Sequence, residues 1–369
     1  MAAVDVHSRA GLNRYRARVR GCLIGGAVGD ALGWPIEAMS WDRIQAAHGR
    51  DGLTGLVLGP DGLAEVTDDT QMTLFTVEGL IRTSVRADRG VCHPPSVIHR
   101  AHLRWLDTQQ LPGPPERPDG WLASLPWLYA RRAPGNACVS GLRQGWMGTP
   151  ARPQNPNSKG CGAVMRSAPF GLLPGAEAEQ AFHLAAECAT QTHGHPSGYL
   201  AAGAFAAIVR YLLEDKDLPE AVDGALDLLT RREGHQEVSA ALHKAIGKPR
   251  GRPTTQDIEE LGGGWVAEEA LAIGVFCALA YPGPAEMRDA LRLAVNHSGD
   301  SDSTGSICGN LLGARHGEMA LPADWVADLE GRDTIVELAD DLVTEFAQGG
   351  ELRRDRARFD RWHERYPGA

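Results

Sequence analysis

Apolar residues recur every three or four positions along most of the 369-residue chain, which is the spacing of amphipathic or buried α-helices. No stretch alternates apolar and polar residues in the way that predicts a β-strand. The predicted helices cover residues 15–33, 70–85, 94–106, 178–192, 197–213, 218–232, 236–246, 255–261, 266–279, 285–295, 334–347 and 352–365, and another begins close to Asp300. We therefore predict an all-α fold with one compact domain over 1–369, a core at about 15–348 and a tail at 1–14.

Two segments interrupt the helical pattern. Residues 42–63 contain five glycines and a proline, which predicts a loop. Residues 111–157 contain nine prolines and show little periodicity. A segment of this length without periodicity is either a functional surface or a helix-poor excursion.

Glycines recur at intervals of four in the first predicted helix and in the one after Asp300. Each glycine costs roughly 0.5–1 kcal/mol relative to alanine inside a helix, so close approach of another backbone is the natural compensation. We predict that these two helices pack closely, and an antiparallel arrangement would bring Asp30 and Glu37 close to Asp300 and Asp302. The two series are Gly21, Gly25, Gly29, Gly33 and Gly305, Gly309, Gly313, Gly317.

Composition and charge narrow the setting in which the chain acts. The net charge of −10 and the pI of about 5.7 provide no broad cationic surface, so we expect no binding to duplex nucleic acid. The seven cysteines are odd in number and form no CxxC pair, which favours reduced thiols and a cytoplasmic location. The N-terminus lacks an apolar signal segment, and the apolar runs look too short or too interrupted to span a membrane.

Acidic residues cluster at two predicted helix starts, Thr67-Asp68-Asp69-Thr70 and Asp300-Ser301-Asp302-Ser303. Either cluster alone is explained by helix capping. Two carboxylates exceed what one cap needs, however, and like charges repel unless a cation separates them. An EF-hand is excluded for the second cluster because its twelfth position is Leu311 instead of glutamate. The pair of clusters favours a site for Mg²⁺ or Mn²⁺, which prefer hard oxygen ligands.

Three further segments combine glycine with polar or aromatic residues. Residues 155–166 place small residues before a helix, where backbone N–H groups can hold a phosphate, although a connector without ligand explains them equally well. His193 and His195 occupy a turn between two helices, where capping or a hydrogen bond to phosphate or ribose is favoured over a transition metal. The glycine turn at 262–265 ends in Trp265. It is either an ordinary loop or a surface that a flat ligand can approach.

These segments, taken together, resemble the motifs of the ADP-ribosylglycohydrolase family. The resemblance rests on residues 21–33 with Glu37, on 67–70, 158–166, 192–193, 264–271 and 299–305. It implies an all-α orthogonal multi-helix bundle with a binuclear metal cleft. Members often have threonine where this chain has Ser303, and serine there is similar to the arginine-hydrolase branch.

The resemblance also assigns roles to individual residues. The implied ligands of two Mg²⁺ (or Mn²⁺) ions are Thr67, Asp68, Asp69, Asp300, Asp302 and Ser303. The implied catalytic residues are Glu37, Asp69 and Asp302. The implied substrate-binding residues are Ser158, Gly160, Cys161, Gly162, Met165, His193 and Gly263.

The implied activity is Mg²⁺-dependent hydrolysis of the bond between ADP-ribose and a modified protein side chain, with arginine favoured. The expected partner is an ADP-ribosylated protein or a small molecule that contains ADP-ribose. Two alternatives remain open: hydrolysis of another linkage, as in ADP-ribosylserine or O-acetyl-ADP-ribose, and a non-catalytic ADP-ribose-binding or structural protein. The presence of every acidic position disfavours the second.

Overall fold

The structure is a computed structural model that describes residues 4–368. In that range it contains α-helices, short 3₁₀ turns and isolated bridges, and no β-strand. The α-helices are α1 Arg9–Gly33, α2 Trp41–His48, α3 Asp68–Ala87, α4 Pro94–Thr108, α5 Asn136–Leu142, α6 Ala168–Gly171, α7 Ala178–Ala189, α8 Pro196–Leu213, α9 Leu218–Leu229, α10 Gln236–Gly247, α11 Thr255–Glu259, α12 Ala267–Ala280, α13 Met287–Val295, α14 Ser301–His316, α15 Ala323–Ala327, α16 Arg332–Leu352 and α17 Arg356–Arg365. The all-α prediction is confirmed.

The loop predicted over 42–63 is wrong at its start, because α2 occupies Trp41–His48. Only Ile44 of α2 is buried, so the helix carries almost no apolar periodicity. The short helices α6 and α15 were not predicted either. The stretch 111–157 is helix-poor as expected, but it contains two 3₁₀ turns and α5. Helix α1 begins at Arg9, so part of the predicted tail is helical.

The two glycine-faced helices α1 and α14 pack against each other in antiparallel order. A Cβ on Gly25 would lie 2.4 Å from the carbonyl oxygen of Gly309, and one on Gly313 would lie 1.9 Å from that of Gly21. At the other end, a Cβ on Gly33 would lie 2.3 Å from the carbonyl oxygen of Ser301. The backbones therefore touch along the whole interface, as the glycine spacing predicts. This contact places the end of α1 beside the start of α14.

The glycine contact gives a prediction for stability. In a Gly29→Ala variant the new Cβ would lie 2.1 Å from the Gly305 carbonyl oxygen, so the helices must separate. Overpacking costs about 3 kcal/mol here and alanine recovers about 1 kcal/mol of helix propensity, which leaves a net loss of about 2 kcal/mol. Urea unfolding measures it. The matched control is Gly350→Ala in α16, where a Cβ meets nothing within 4 Å and stability should rise slightly. Equal effects in both variants would contradict the backbone contact.

The largest cluster of buried apolar side chains extends from Tyr15 in α1 to Tyr366 after α17. Trp362 and Tyr366 lie beyond the predicted core boundary at 348 and still belong to this cluster. That the chain forms a single domain stays a prediction.

Helix α8 is apolar enough over 18 residues to pass a length and hydropathy test for a membrane span, contrary to the expectation that every apolar run is too short or too interrupted. The bent pair Ala267–Ala280 and Pro284–Val295 passes the same test when taken together. Most of α8, 83% of the window, is buried against other parts of the protein. Its position is therefore that of a core helix.

Candidate metal centre and ligand cleft

The start of α14 presents two buried carboxylates. Asp300 is the N-cap residue, and its side chain accepts a hydrogen bond from the Ser303 backbone N–H at 3.3 Å. Asp302 accepts from the same N–H at 3.0 Å, so two carboxylates share one capping donor. The backbone N–H of Asp300 donates to the Gly263 carbonyl at 2.8 Å, which fixes the turn before the helix. Capping the helix therefore needs only one of these two carboxylates.

The start of α3 presents the second pair. Thr67 is its N-cap and accepts from the Asp69 N–H at 3.3 Å. Asp68 accepts from the Gly135 N–H at 3.1 Å. Asp69 Oδ2 is buried and has no hydrogen-bond partner among the residues that the structure describes. An unsatisfied buried carboxylate oxygen is costly, so this atom is well placed to bind a cation.

Asp30 fastens α3 to α1, a role that the sequence did not reveal. Its fully buried carboxylate accepts from the backbone N–H groups of Thr67 and Thr70, at 3.0 and 3.1 Å, and from both their hydroxyls. The Thr67 hydroxyl donates to Asp30 at 2.9 Å and is thereby oriented. A carboxylate at a helix N-terminus is favoured by the free N–H groups there. Asp30 thus fixes the direction in which Asp68 and Asp69 leave α3.

Glu37 follows a 3₁₀ turn at the end of α1 and reaches the start of α14. The next residue, Ala38, has a left-handed φ of 60°, and its N–H donates to the Gly299 carbonyl at 2.9 Å. Carboxylate oxygens of Glu37, Asp300 and Asp302 lie within 4.8 Å of one another, a spacing that suits a shared metal ion. The antiparallel packing of α1 and α14 therefore brings Glu37 to the late acidic pair, as expected. Asp30 instead bonds to the start of α3.

These carboxylates line one wall of a cleft of about 410 Å³, a size typical of sites for small molecules. None of the described residues that line it is lysine or arginine. Twelve predicted site residues line the cleft: Glu37, Asp68, Asp69, Ser158, Gly160, Cys161, Gly162, Met165, His193, Asp300, Asp302 and Ser303. The cleft is completed by residues that were not predicted, Ala133, Pro134, Gly135, Asn136, Ala137 and Trp265.

Two predicted site residues, Thr67 and Gly263, are not among the lining residues. Thr67 is fully buried beneath the acidic pair of α3. Gly263 lies behind Asp300, where its carbonyl accepts from Asp300 and its N–H donates to Glu269 at 3.0 Å. The neighbouring Trp265, 46% exposed, is the residue of this turn that faces the cleft. In this turn the aromatic residue, and not the glycine, is therefore the residue that marks the cleft.

The carboxyl groups raise one another's pKa. Burial, and then repulsion from Asp300 and Asp30, raises the pKa of Glu37 to about 7. Burial and the neighbouring carboxylates raise the pKa of Asp68, Asp69 and Asp302 well above the usual value. Charged carboxylates crowded in this way need a cation among them. The oxygen donors and the unpaired Asp69 Oδ2 fit a hard divalent ion.

Cys161 lies between the acidic wall and the glycine turn at 160–162. Its thiol donates to Asp300 Oδ2 at 2.7 Å, and its backbone N–H donates to the Trp265 carbonyl at 3.2 Å. Burial and the adjacent carboxylates raise the pKa of Cys161 well above its usual value. The sulfur is therefore a protonated hydrogen-bond donor, and a nucleophilic thiolate is disfavoured.

The family comparison agrees with the site. The family described as ADP-ribosylglycohydrolase matches residues 12–351. The chain is similar to ADP-ribosylarginine hydrolase Tri1 of Pseudomonas putida, with 25% identity over 91% of this chain and 80% of the relative. It is also similar to ADP-ribosyl-[dinitrogen reductase] glycohydrolase of Rhodospirillum rubrum, with 26% identity over 89% of this chain and 93% of the relative.

A solved structure supports the fold. It is titled ADP-ribosylglycohydrolase-related protein complex and superimposes with a TM-score of 0.62 at 24% identity, covering 90% of this chain and 99% of the other. The family match extends over nearly the whole chain and includes every acidic residue of the cleft. The chain belongs to the ADP-ribosylglycohydrolase family and is an enzyme that hydrolyses ADP-ribosyl linkages.

Proposed function

We propose that this enzyme hydrolyses the glycosidic bond between ADP-ribose and a modified arginine side chain of a protein, and that it requires two Mg²⁺ ions. The single observation that carries the metal requirement is the buried carboxylate Asp69, whose Oδ2 has no hydrogen-bond partner in the described residues, beside Asp68 and the pair at the start of α14. The proposed ligands are those predicted from the sequence, Thr67, Asp68, Asp69, Asp300, Asp302 and Ser303.

The proposed chemistry follows from the charge that develops on the sugar. Hydrolysis at the anomeric carbon proceeds through an oxocarbenium-like state. The bound metal ions would orient the ribose hydroxyls and lower the pKa of a bound water. Negative side chains such as Asp69 and Asp302 stabilise positive charge on the ribose. Glu37, with a pKa of about 7, is suited to exchange a proton with the attacking water or with the leaving group.

The glycine turn at 160–162 is proposed to hold the diphosphate. Two N–H groups of the predicted phosphate loop already have protein acceptors, since Ser158 donates to Asn155 and Cys161 donates to Trp265. The N–H groups of Gly160 and Gly162 are therefore the better candidates for phosphate contacts. This narrows the sequence prediction, which named Ser158, Gly160, Cys161 and Gly162 of this loop together.

Arginine is favoured as the modified side chain for two reasons. Ser303 is similar to the residue of the arginine-hydrolase branch, and the Pseudomonas putida relative carries the name ADP-ribosylarginine hydrolase. The alternative is another linkage, such as ADP-ribosylserine or O-acetyl-ADP-ribose; the non-catalytic alternative is set aside, because the chain is an enzyme of this family. We also propose a cytoplasmic location, which the free cysteines of the described residues support.

The test compares release of ADP-ribose from matched ADP-ribosylarginine and ADP-ribosylserine peptides, with and without prior chelation and with Mg²⁺ restored. Faster release from arginine that is lost on chelation and recovered with Mg²⁺ is the expected result. Faster release from serine would replace the proposal by the first alternative. Release that continues after complete removal of divalent ions would refute the metal requirement, and no release from either peptide would refute the arginine assignment and favour another linkage, such as that of O-acetyl-ADP-ribose.

A further inference from the structure

The cleft presents an electrostatic problem for an anionic ligand. Its described lining contains five carboxylates and no lysine or arginine, whereas ADP-ribose carries a diphosphate. Backbone N–H groups at the glycine turn supply only partial charges. The nearest buried cation behind that turn is Arg166, which the sequence grouped with the loop but to which it gave no role.

Arg166 is 2% exposed, and no carboxylate of the described residues lies within ion-pair distance of it. Its guanidinium donates to the Gly162 carbonyl at 2.9 Å and to the Thr192 hydroxyl at 2.7 Å. The remaining contacts are to sulfur, Cys138 Sγ at 3.2 Å and Met72 Sδ at 3.6 Å. Arginine remains charged in such surroundings, so its positive charge is directed at the glycine turn and at Thr192.

Thr192 connects this charge to His193. Its Oγ1 lies 2.8 Å from His193 Nδ1 and 3.4 Å from the Ala189 carbonyl. Because Oγ1 already accepts from Arg166, its own proton is free to be donated, and the imidazole nitrogen is the closer acceptor. Donation from the guanidinium also polarises the hydroxyl and makes it a stronger donor. His193 Nδ1 is then the acceptor, and the proton of the neutral ring resides on Nε2.

The Nε2 edge of His193 lies against the glycine turn. A Cβ on Gly160 would be 3.4 Å from Nε2, and one on Gly162 would be 3.3 Å from it. His193 lines the cleft, and no hydrogen bond to Nε2 is found within residues 4–368. Burial, and then the nearby charge of Arg166, lower the pKa of His193 to about 3, so the ring is neutral at physiological pH.

We propose that Arg166 and Thr192 are positioning residues that hold His193 as a neutral Nε2–H donor to an anionic group of the ligand. The chain of hydrogen bonds brings the influence of a buried cation to the cleft without placing that cation beside the metal-binding carboxylates, where it would compete with the metal ions. The identification of the anion as the diphosphate of ADP-ribose rests on the proposed function.

A double-mutant cycle tests whether Thr192 acts through His193. Binding of ADP-ribose is measured by calorimetry for the wild type, Thr192→Val, His193→Ala and the double variant, after thermal unfolding has shown that each is folded. Thr192→Val should weaken binding about 10-fold in the wild-type background and less than about 2-fold in the His193→Ala background. The conservative variant Thr192→Ser, which retains the hydroxyl, should remain within about 2-fold of wild type. Equal weakening in both backgrounds would overturn the proposal.

The tautomer is measured without ligand, so that this test is independent of the proposed function. Long-range ¹H–¹⁵N correlation, with His193 assigned by its absence in His193→Ala, should show Nε2 protonated and Nδ1 hydrogen-bonded. The Nδ1 signal should move toward that of a free acceptor in Thr192→Val but not in Thr192→Ser. A proton on Nδ1 would overturn the proposal even if the enzyme releases ADP-ribose. Conversely, the enzyme could show the Nε2–H tautomer and a coupled mutant cycle and still cleave no ADP-ribosylarginine. That result would refute the proposed function and leave the positioning roles of Arg166 and Thr192 in place.

Discussion

Replacing Asp302 by asparagine is expected to slow release of ADP-ribose about 10³-fold while making the metal-free protein more stable. The amide keeps the shape of the side chain but removes one negative charge from the metal site, and metal-ion catalysis is worth several kcal/mol. Stability should rise because burial and the charges of Asp300, Asp69 and Glu37 raise the pKa of Asp302. A change that relieves repulsion between like charges stabilises the fold. The measurements are release from an ADP-ribosylarginine peptide and thermal unfolding after chelation.

The matched control is Asp223→Asn on the exposed face of α9, which should alter neither activity nor stability appreciably. The opposite signs of the two effects identify Asp302 as a residue retained for function at a cost in stability. If Asp302→Asn lowered activity and metal-free stability together, the side chain would be a structural cap and the metal site would need different ligands.

The closest packing in the fold could be predicted because its signal lies within each helix. The four-residue spacing of Gly25 and Gly29, matched by Gly305 and Gly309, has few explanations other than contact between backbones. The structure confirms it. Helix α2 could not be predicted in this way, since it buries one side chain and is held by its ends, with Ser40 as N-cap and Gly49 as C-cap.

The acidic residues of the cleft could be predicted because their number exceeds what helix capping requires. Their orientation could not, because it depends on residues distant in sequence. Asp30 caps α3 from the end of α1, and Gly135, within the proline-rich segment, donates to Asp68. The local pattern of 111–157 left a functional surface open, but it did not indicate that Gly135 and Asn136 line the cleft. Such contacts follow only from the packing of the whole chain.

Arg166 and Thr192 illustrate the same limit. Each belongs to a segment that the sequence singled out, but the two are 26 positions apart and neither lines the cleft. Their connection depends on the hydroxyl of Thr192 lying between a guanidinium and an imidazole. Such a contact arises from the three-dimensional packing and leaves no repeating pattern in the sequence. Sequence reasoning therefore found most of the residues that line the cleft and missed these two, which contact it only through other residues.

The stability of the metal-free protein should fall as the pH rises, and Mg²⁺ should reduce this dependence by neutralising the carboxylates that it contacts. Burial raises the pKa of Asp30 from 3.8 to about 6 despite its hydrogen bonds, and the pKa of Glu37 is raised to about 7. Between the unfolded and folded pKa values the native state binds more protons, so the penalty is absent below about pH 4 and fully present above about pH 7. For Asp30 alone it amounts to about 3 kcal/mol.

The measurement is the difference in Tm with and without Mg²⁺ at each pH. Groups elsewhere in the chain titrate alike in both samples, so their contribution cancels. At pH 8 a rise of about 5 °C is expected, because the cation neutralises carboxylates that are charged. At pH 5.5 the rise should be much smaller, since protons already occupy the site and must be displaced by the metal. Asp302→Asn should show a reduced rise at both pH values, whereas Asp223→Asn should follow the wild type. An equal Tm rise at pH 8 and pH 5.5 in the wild type would mean that Mg²⁺ binds away from these carboxylates.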